Sequence, residues 1–587
     1  VKSAAKPAAK KTAASTLPDD VRAHLDAQLD ALRTGLSAWV HLTLGQRVTL
    51  LERLHASVSA VAEEWADVAS TSKGIEPGHP LRGEEWLGGP YATLVSIDAY
   101  RRTLRLLARG ESPLSGARMD AAPGARLRAH VFPLQAIDGL LLSGYTGEVW
   151  FEPGVTAADA HRTAGLAQLD PTAPGGVGLV LGAGNITAIP VLDVLYELMA
   201  NNRVALLKLN PTQDALFPVF ERALAPLIEP GFVRVVRGAG DVGAYLTTHA
   251  GIDHVHITGA ASTFDTIVWG TGAAATRRRR EGRPALKKPI TAELGGVSPI
   301  IVVPGEWSAA DLRYHAEHVV TMRLQNSGHN CIAGQVVIVS SDWAQRDDFL
   351  REVREAYARA PRRPVWYPGG DARLEAAASD HPSAEWFADG TRALVEIDGG
   401  TDATAMEQTE YFAPILGVVS LPGAGQTFLD AAVTYANDRL AGTLGANVLV
   451  DPVTQAALGD GFEQAIAELR YGAIAINAWT AFGFLTPTLT WGGFPGATLE
   501  HVESGIGVVH NGLLLDRVER SIARGPFRPL PRSVSAIVGP GRFSVLPKPP
   551  WFVTSRTGEA VSEGFTRFRM TGDWAGLMKT LVQAFRA

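Results

Sequence analysis

The chain has 587 residues, 46% of them hydrophobic and 19% charged, with a net charge of −6. That length exceeds a single core and implies two or three domains, while the weak acidic balance argues against a dedicated nucleic-acid binder. No apolar stretch reaches the length of a membrane span, and the lone cysteine, Cys331, excludes an internal disulfide and a cysteine-rich metal site.

Residues 1–17 are rich in lysine and alanine and lack the apolar core of a secretory signal, so they read as a disordered basic tail. With one reduced thiol, this points to the cytoplasm. From Pro18 to about Gly74 the pattern is helical. Asp19 or Asp20 can cap a first helix carrying Val21, Leu25, Leu29, Leu32 and Leu36, and a second carries Leu50, Leu51, Leu54, Val58 and Val61. Near His130 the text changes. Residues 131–134 and 140–142 flank a turn-like Ile137-Asp138-Gly139, and residues 148–152 follow a glycine-rich turn, which predicts a β-meander or hairpin arm.

Strand and helix then alternate. Residues 177–181, 204–208, 233–236 and 254–257 read as buried strands, with helices over 189–199, 217–227 and 242–249 between them. Such βαβ units build a parallel sheet whose strand ends bind nucleotides. The basic stretch over 276–288 reads as a solvated loop, with a phosphate or partner contact as the alternative. The alternation restarts with a strand over 300–303, a helix over 309–322 and a strand over 335–339, a second α/β domain that holds the thiol. Beyond Asn511 the chain is proline-rich (Pro526, Pro529, Pro531, Pro547, Pro549, Pro550). It ends in an amphipathic helix through Trp574, Leu577, Met578, Leu581, Val582 and Phe585, expected to dock on the body or on a neighbouring subunit.

Cys331 sits in Asn326-Ser327-Gly328-His329-Asn330-Cys331-Ile332-Ala333-Gly334. A lone cysteine is either a small core hydrophobe or a nucleophile. Its small, polar and glycine neighbours suit an accessible loop at a helix end. Upstream, Glu293-Leu294-Gly295-Gly296 places an acid before a flexible turn. Thiol plus carboxylate is a nucleophile with a candidate base.

Taken in order, Glu293-Leu294-Gly295-Gly296-Val297-Ser298-Pro299, the segment around Cys331 and Glu410-Tyr411-Phe412-Ala413-Pro414-Ile415-Leu416 resemble the aldehyde dehydrogenase superfamily. The resemblance covers roughly residues 47–511. It implies an α/β fold: a Rossmann-like cofactor domain (18–128 and 156–291), a catalytic α/β domain (292–475), and a β-arm for oligomerisation with the catalytic-domain return (129–155 and 476–512). A C-terminal extension (513–587) follows. The implied activity is NAD- or NADP-dependent oxidation of a small-molecule aldehyde to a carboxylic acid. Cys331 attacks the carbonyl, the Asn185 side chain and the Cys331 backbone N–H hold the oxyanion, and Glu293 activates water on the resulting thioester. The implied cofactor contacts are Lys208 at the adenosine ribose, Thr258 and Gly259 at a phosphate, Leu294 beside Glu293, Glu410 at the nicotinamide ribose and Phe412 beside it. No metal, membrane or nucleic-acid partner is implied, and a homodimer or homotetramer is.

The chain departs from the family pattern in places. Ala183-Gly184-Asn185 stands where Pro-Trp-Asn is usual, Ala260 lacks a common hydroxyl, and Pro211 replaces an acid that prefers the bare ribose of NAD. Both cofactors therefore stay open. Trp479, Phe482 and Phe484 are candidates for the substrate tunnel. Rival readings are a CoA-dependent acylating dehydrogenase or acyl-CoA reductase, a cysteine hydrolase pairing Cys331 with a histidine, and a non-catalytic scaffold on the same fold. Glu293 favours water over CoA, because the CoA-dependent relatives commonly lack that acid.

Overall fold

Two large sheets and the helices that cover them organise the computed structural model, which describes residues 17–397, 402–529 and 546–586. The basic tail, except Leu17, and Pro531 lie outside the described residues. Helix Asp19–Trp39 buries Leu25, Leu29 and Leu32, and helix Leu44–Ser72 buries Leu50, Leu51, Leu54, Val58 and Val61, the stripes expected from the spacing. The expected aspartate cap does not form. Pro18 occupies the cap position, and Asp19 and Asp20 sit in the first turn, where their charge meets the positive end of the helix dipole.

The smaller sheet runs in the order Gly505–Ile506, Ile290–Leu294, His254–Gly259, Val177–Leu181, Val204–Lys208, Val233–Val236. All its pairings are parallel except that of Gly505–Ile506. Helices on the faces make these strands near-continuous apolar runs. From Val177–Leu181 the chain steps outward twice, then returns to the opposite side at His254–Gly259. The strand order therefore reverses there, and a crevice opens beyond the carboxyl ends of those strands.

The larger sheet has eleven strands. Its parallel centre is Ala473–Ile476, Gly445–Leu449, Ser298–Val302, Gly334–Ser340, Ile415–Leu421 and Arg392–Ile397, with Glu385–Phe387 antiparallel at one edge. At the other end lie the arm strands Arg118–Ala122, Arg126–Phe132 and Thr146–Phe151, all antiparallel. Strand Val518–Arg524 joins the two parts, antiparallel to Thr146–Phe151 and parallel to Ala473–Ile476. The sequence reading put this strand in the C-terminal extension. It is instead an interior strand that makes arm and centre one sheet. A second correction concerns residues 137–139: the expected turn lies within a helix, Ala136–Leu141, whose Leu141 is buried under the arm.

The basic stretch is also more ordered than a loop. Gly272–Arg280 is a helix with no buried residue, and its four arginines gather in the last turn, where the dipole favours cations. After the proline-rich stretch the chain returns from Leu546 onto the body and ends in helices Gly558–Thr571 and Trp574–Ala584. The Gly558 carbonyl lies so close to Gly83 that a Cβ there would approach it to 2.6 Å. Arg82 pairs with Glu559 at 3.0 Å and Arg569 with Asp138 at 2.7 Å. The terminal helix docks through Leu577, Leu581 and Ala584, while Trp574, Met578, Val582 and Phe585 stay exposed.

Candidate active site

Helix Ala309–Leu324 delivers the chain to the thiol. Its capping box, Ser308 with Asp311, fixes the start, and the end passes into the tight turn Gln325–Gly328. Asn326, Ser327 and Gly328 are consecutive left-handed residues, with φ of 52°, 58° and 71°. Such backbone persists only where the surroundings over-determine it. Here they do. Asn326 Nδ2 donates to the His329 carbonyl at 2.8 Å and to the Asn185 carbonyl at 3.1 Å, and its backbone N–H donates to Glu84 at 3.0 Å. Lys73 Nζ, buried, donates to Glu85, to the Asn185 carbonyl and to Asn326.

The loop is therefore packed, with Asn326, Ser327, His329 and Asn330 all buried. The sequence reading expected an accessible loop. Its polar groups are instead satisfied internally, and among residues 326–331 Cys331 alone is half-buried rather than buried. His329 helps close the loop: Nδ1 lies 2.7 Å from the Phe412 carbonyl, and Nε2 accepts from the Tyr367 backbone N–H at 3.4 Å. Burial lowers its pKa to about 3, so the ring is neutral, donating at Nδ1 and accepting at Nε2. Both nitrogens are committed to backbone, so His329 is not free to serve as a base for Cys331.

Glu293 is the penultimate residue of strand Ile290–Leu294 and is buried. Burial raises its carboxyl to about 7, against the pull of the Cys331 thiol and the Trp491 indole, whose Nε1–H donates at 3.3 Å. Burial likewise lifts the Cys331 thiol well above its ordinary value, and the facing Glu293 carboxylate adds to the rise. At rest the sulfur carries its proton, beside a carboxyl poised to take it. Asn185 follows strand Val177–Leu181 and donates Nδ2 to the His329 carbonyl at 3.1 Å, which brings its amide to the same loop. The structure thus gathers Cys331, Glu293 and Asn185 at one place.

Of the cofactor candidates, Lys208, Thr258 and Gly259 lie at the carboxyl ends of strands of the smaller sheet. Thr258 is the register partner of Glu293, Gly259 of Leu294, and Lys208 of Leu181. Lys208 is buried, which lowers its pKa, with Asp214 and Asp241 opposing the fall. Gly259 is exposed at the start of helix Ala261–Trp269. The Thr258 hydroxyl is turned aside and donates to buried Asp193 at 3.0 Å. The Leu294 backbone N–H is already bonded to the Ser504 carbonyl at 2.9 Å, so Leu294 offers no free donor. Glu410 lies against Gly295 so closely that a Cβ there would meet its Oε1 at 2.0 Å. That Oε1 is shielded from solvent and lacks a hydrogen-bond partner, and burial raises the carboxyl to about 8. Phe412 beside it is held at a positive φ of 46°.

A narrow cavity of about 50 Å³ opens over the thiol, lined by Ile186, Trp479, Phe484, Trp491 and Trp551 among others. Two of the three sequence candidates for a tunnel, Trp479 and Phe484, are here. Phe482 is not: it stacks on Tyr145 at 4.8 Å and meets Phe132 edge-on, in the core under the arm. Sequence reasoning missed Trp491, Lys73 and Trp551, which lie far from the thiol in the chain and belong to no local pattern.

Comparisons with known proteins bear on this arrangement. Residues 163–363 match the model of the aldehyde dehydrogenase family. A betaine aldehyde dehydrogenase of Mesorhizobium japonicum is 27% identical over 318 residues, 50% of this chain and 56% of that protein, so the match spans little more than half of the relative's length. A γ-glutamyl-γ-aminobutyraldehyde dehydrogenase from Burkholderia cenocepacia superposes with a TM-score of 0.57 at 19% identity, over 85% of this chain and 88% of that one. A mutant of aldehyde dehydrogenase C from Pseudomonas syringae, solved with NAD+ and octanal, gives 0.56 at 17% identity over 87% and 90% of the two chains. The fold is thus shared with solved aldehyde dehydrogenases along most of the chain, and residues 163–363, from the cofactor sheet through the thiol, carry the sequence pattern of the aldehyde dehydrogenase family.

Proposed function

We propose that this protein oxidises an aldehyde to a carboxylic acid with NAD or NADP, through covalent chemistry on Cys331. The observation that carries the reading is the buried Glu293 carboxyl, titrating at about 7, that faces a protonated thiol in an apolar cavity. A general base works best with a pKa near the working pH.

In this reading Glu293 takes the proton from Cys331, and the sulfur attacks the aldehyde carbon to give a thiohemiacetal. The carbonyl oxygen, now anionic, is met by the second N–H of the Asn185 amide and by the Cys331 backbone N–H. NAD or NADP, when bound, supplies the two-electron acceptor for the hydride released from the thiohemiacetal carbon. Glu293, having shed its proton, then deprotonates water, the hydroxide adds to the thioester, and carbon–sulfur cleavage frees the acid. The residues present fit the cofactor: the unpartnered Glu410 Oε1 is an acceptor suited to a ribose hydroxyl, and Lys208 stands at a neighbouring strand end. Thr258 and Gly259 stay in the proposal at the start of the next helix, where backbone N–H groups suit a phosphate. Phe412 would pack beside that ribose.

A panel of aldehydes with NAD and with NADP, each with and without CoA, tests the reading by absorbance of the reduced cofactor. Reduction that needs CoA would move the chain to the acylating branch, and no reduction with any aldehyde would leave the scaffold reading in front. Cys331→Ser is expected to lower turnover by about 10³-fold or more while NAD or NADP still binds, read by kinetics and calorimetry. Glu293→Gln should stall deacylation, visible as an acyl adduct on Cys331 by intact mass. Association into a dimer or tetramer and a cytoplasmic location remain parts of the same proposal. The outer arm strand Arg118–Ala122 has a neighbour on one side only among the described residues, an edge open to a second copy. Sedimentation would give the mass.

A further inference from the structure

The wall of the cavity over Cys331 includes a residue from the C-terminal segment, Trp551. Apart from the thiol, Glu84 is the only titratable residue on that lining; its Oε2 is engaged by Arg363 and by the Asn326 N–H, while its Oε1 has no hydrogen-bond partner. The rest is aliphatic or aromatic, with a few amides and glycine. This largely apolar lining and its small volume suit a slender substrate.

The segment that carries Trp551 is fastened at several points. Lys548 Nζ and the Thr554 hydroxyl both reach Glu317, at 2.8 and 3.0 Å. The Val553 backbone N–H donates to the Thr321 hydroxyl at 3.1 Å, and Phe552 stacks on His318 with ring centres 5.0 Å apart. Glu317, His318 and Thr321 all lie on helix Ala309–Leu324, which leads into the thiol loop. Trp551 and Cys331 are thus fixed to one rigid element. On its far side Trp551 leans edge-on against Tyr145 at 6.1 Å, so it has backing against outward movement.

We propose that the C-terminal segment forms a fixed wall of the substrate cavity, and that Trp551 sets the upper size of the aldehyde that reaches Cys331. The class admitted is slender apolar aldehydes, and branched or polycyclic ones are shut out. The identity of the substrate rests on the aldehyde reading above, whereas the size limit rests on the cavity alone.

Because Cys331 is the only cysteine, its alkylation reports access directly. The experiment compares rate constants for iodoacetamide and N-(1-pyrenyl)maleimide, followed by intact mass, on the full chain. In Trp551→Ala the bulky-to-small ratio should rise about ten-fold or more, with Trp551→Leu between it and the parent, as expected when a packed wall is removed. An unchanged ratio in folded variants would overturn the proposal. Should Trp551→Ala fail to fold, Trp551→Leu decides by the same ratio. A parallel assay reads kcat/KM for 2-naphthaldehyde against propanal, and the same rise is expected. If the parent protein oxidises no aldehyde, the reading of the reaction falls while the alkylation ratio still judges the wall.

Discussion

At the scale of single residues, burial is what tunes the site. Glu293 is lifted from 4.5 to about 7 chiefly by desolvation, and the Trp491 indole opposes the rise. The rate should therefore climb with pH through about 7 as the base loses its proton. Trp491→Phe keeps a ring but removes the donor, so the midpoint of the pH–rate profile should move up by about one unit. A profile that stays in place would detach Trp491 from the base. The same shift has a sign for stability. A carboxyl whose pKa rises on folding favours the folded state while protonated, and that contribution is lost as pH climbs through about 7. Glu293→Gln should thus be more stable than the parent by about 3 kcal/mol at pH 8, with the gap shrinking towards pH 4.5, read by denaturant melts at both values. Cys331, Glu293 and Asn185 were legible in the sequence because each sits in a short motif. Trp491 was not, since it reaches Glu293 across 198 positions and no local spacing encodes that contact.

At the scale of elements, the pattern of βαβ units was readable because each buried strand is a continuous apolar run. Residues 136–141 were misread for a physical reason: a short Ile-Asp-Gly-Leu-Leu stretch has no periodicity long enough to separate turn from helix, and packing under the arm decides it. The contact between Gly83 and the Gly558 carbonyl was equally invisible, yet it seats helix Gly558–Thr571. Gly83→Ala would drive a Cβ into that carbonyl. The expected result is a loss of about 1–3 kcal/mol of stability, the usual cost of overpacking, and an opening of the cavity wall. Melting and the pyrenylmaleimide rate check the two parts, and an unchanged melt would place the seat of the helix elsewhere.

At the scale of the whole molecule, the boundary drawn after residue 512 fell at a shift to proline-rich composition, but Val518–Arg524 beyond it is an interior strand. Composition could not reveal this, because strand pairing is a long-range property. A chain ending at Asn511 should leave Thr146–Phe151 and Ala473–Ile476 with bare edges and aggregate, as unpaired strand edges do. Light scattering and size exclusion would check it, and a monodisperse, active product would count against the interior role of that strand.

The same strand sets a timetable for synthesis. Arg126 of the arm pairs with Glu519, 393 positions later. At ribosomal rates of 5–20 residues per second the arm waits roughly 20–80 s for the strand that completes its sheet. During that interval the charges on one face of the hairpin, Arg118, Asp120, Arg126 and Arg128, must keep it from pairing with the wrong edge. Yield in the cell should thus depend on what shields the arm while the rest of the chain is made.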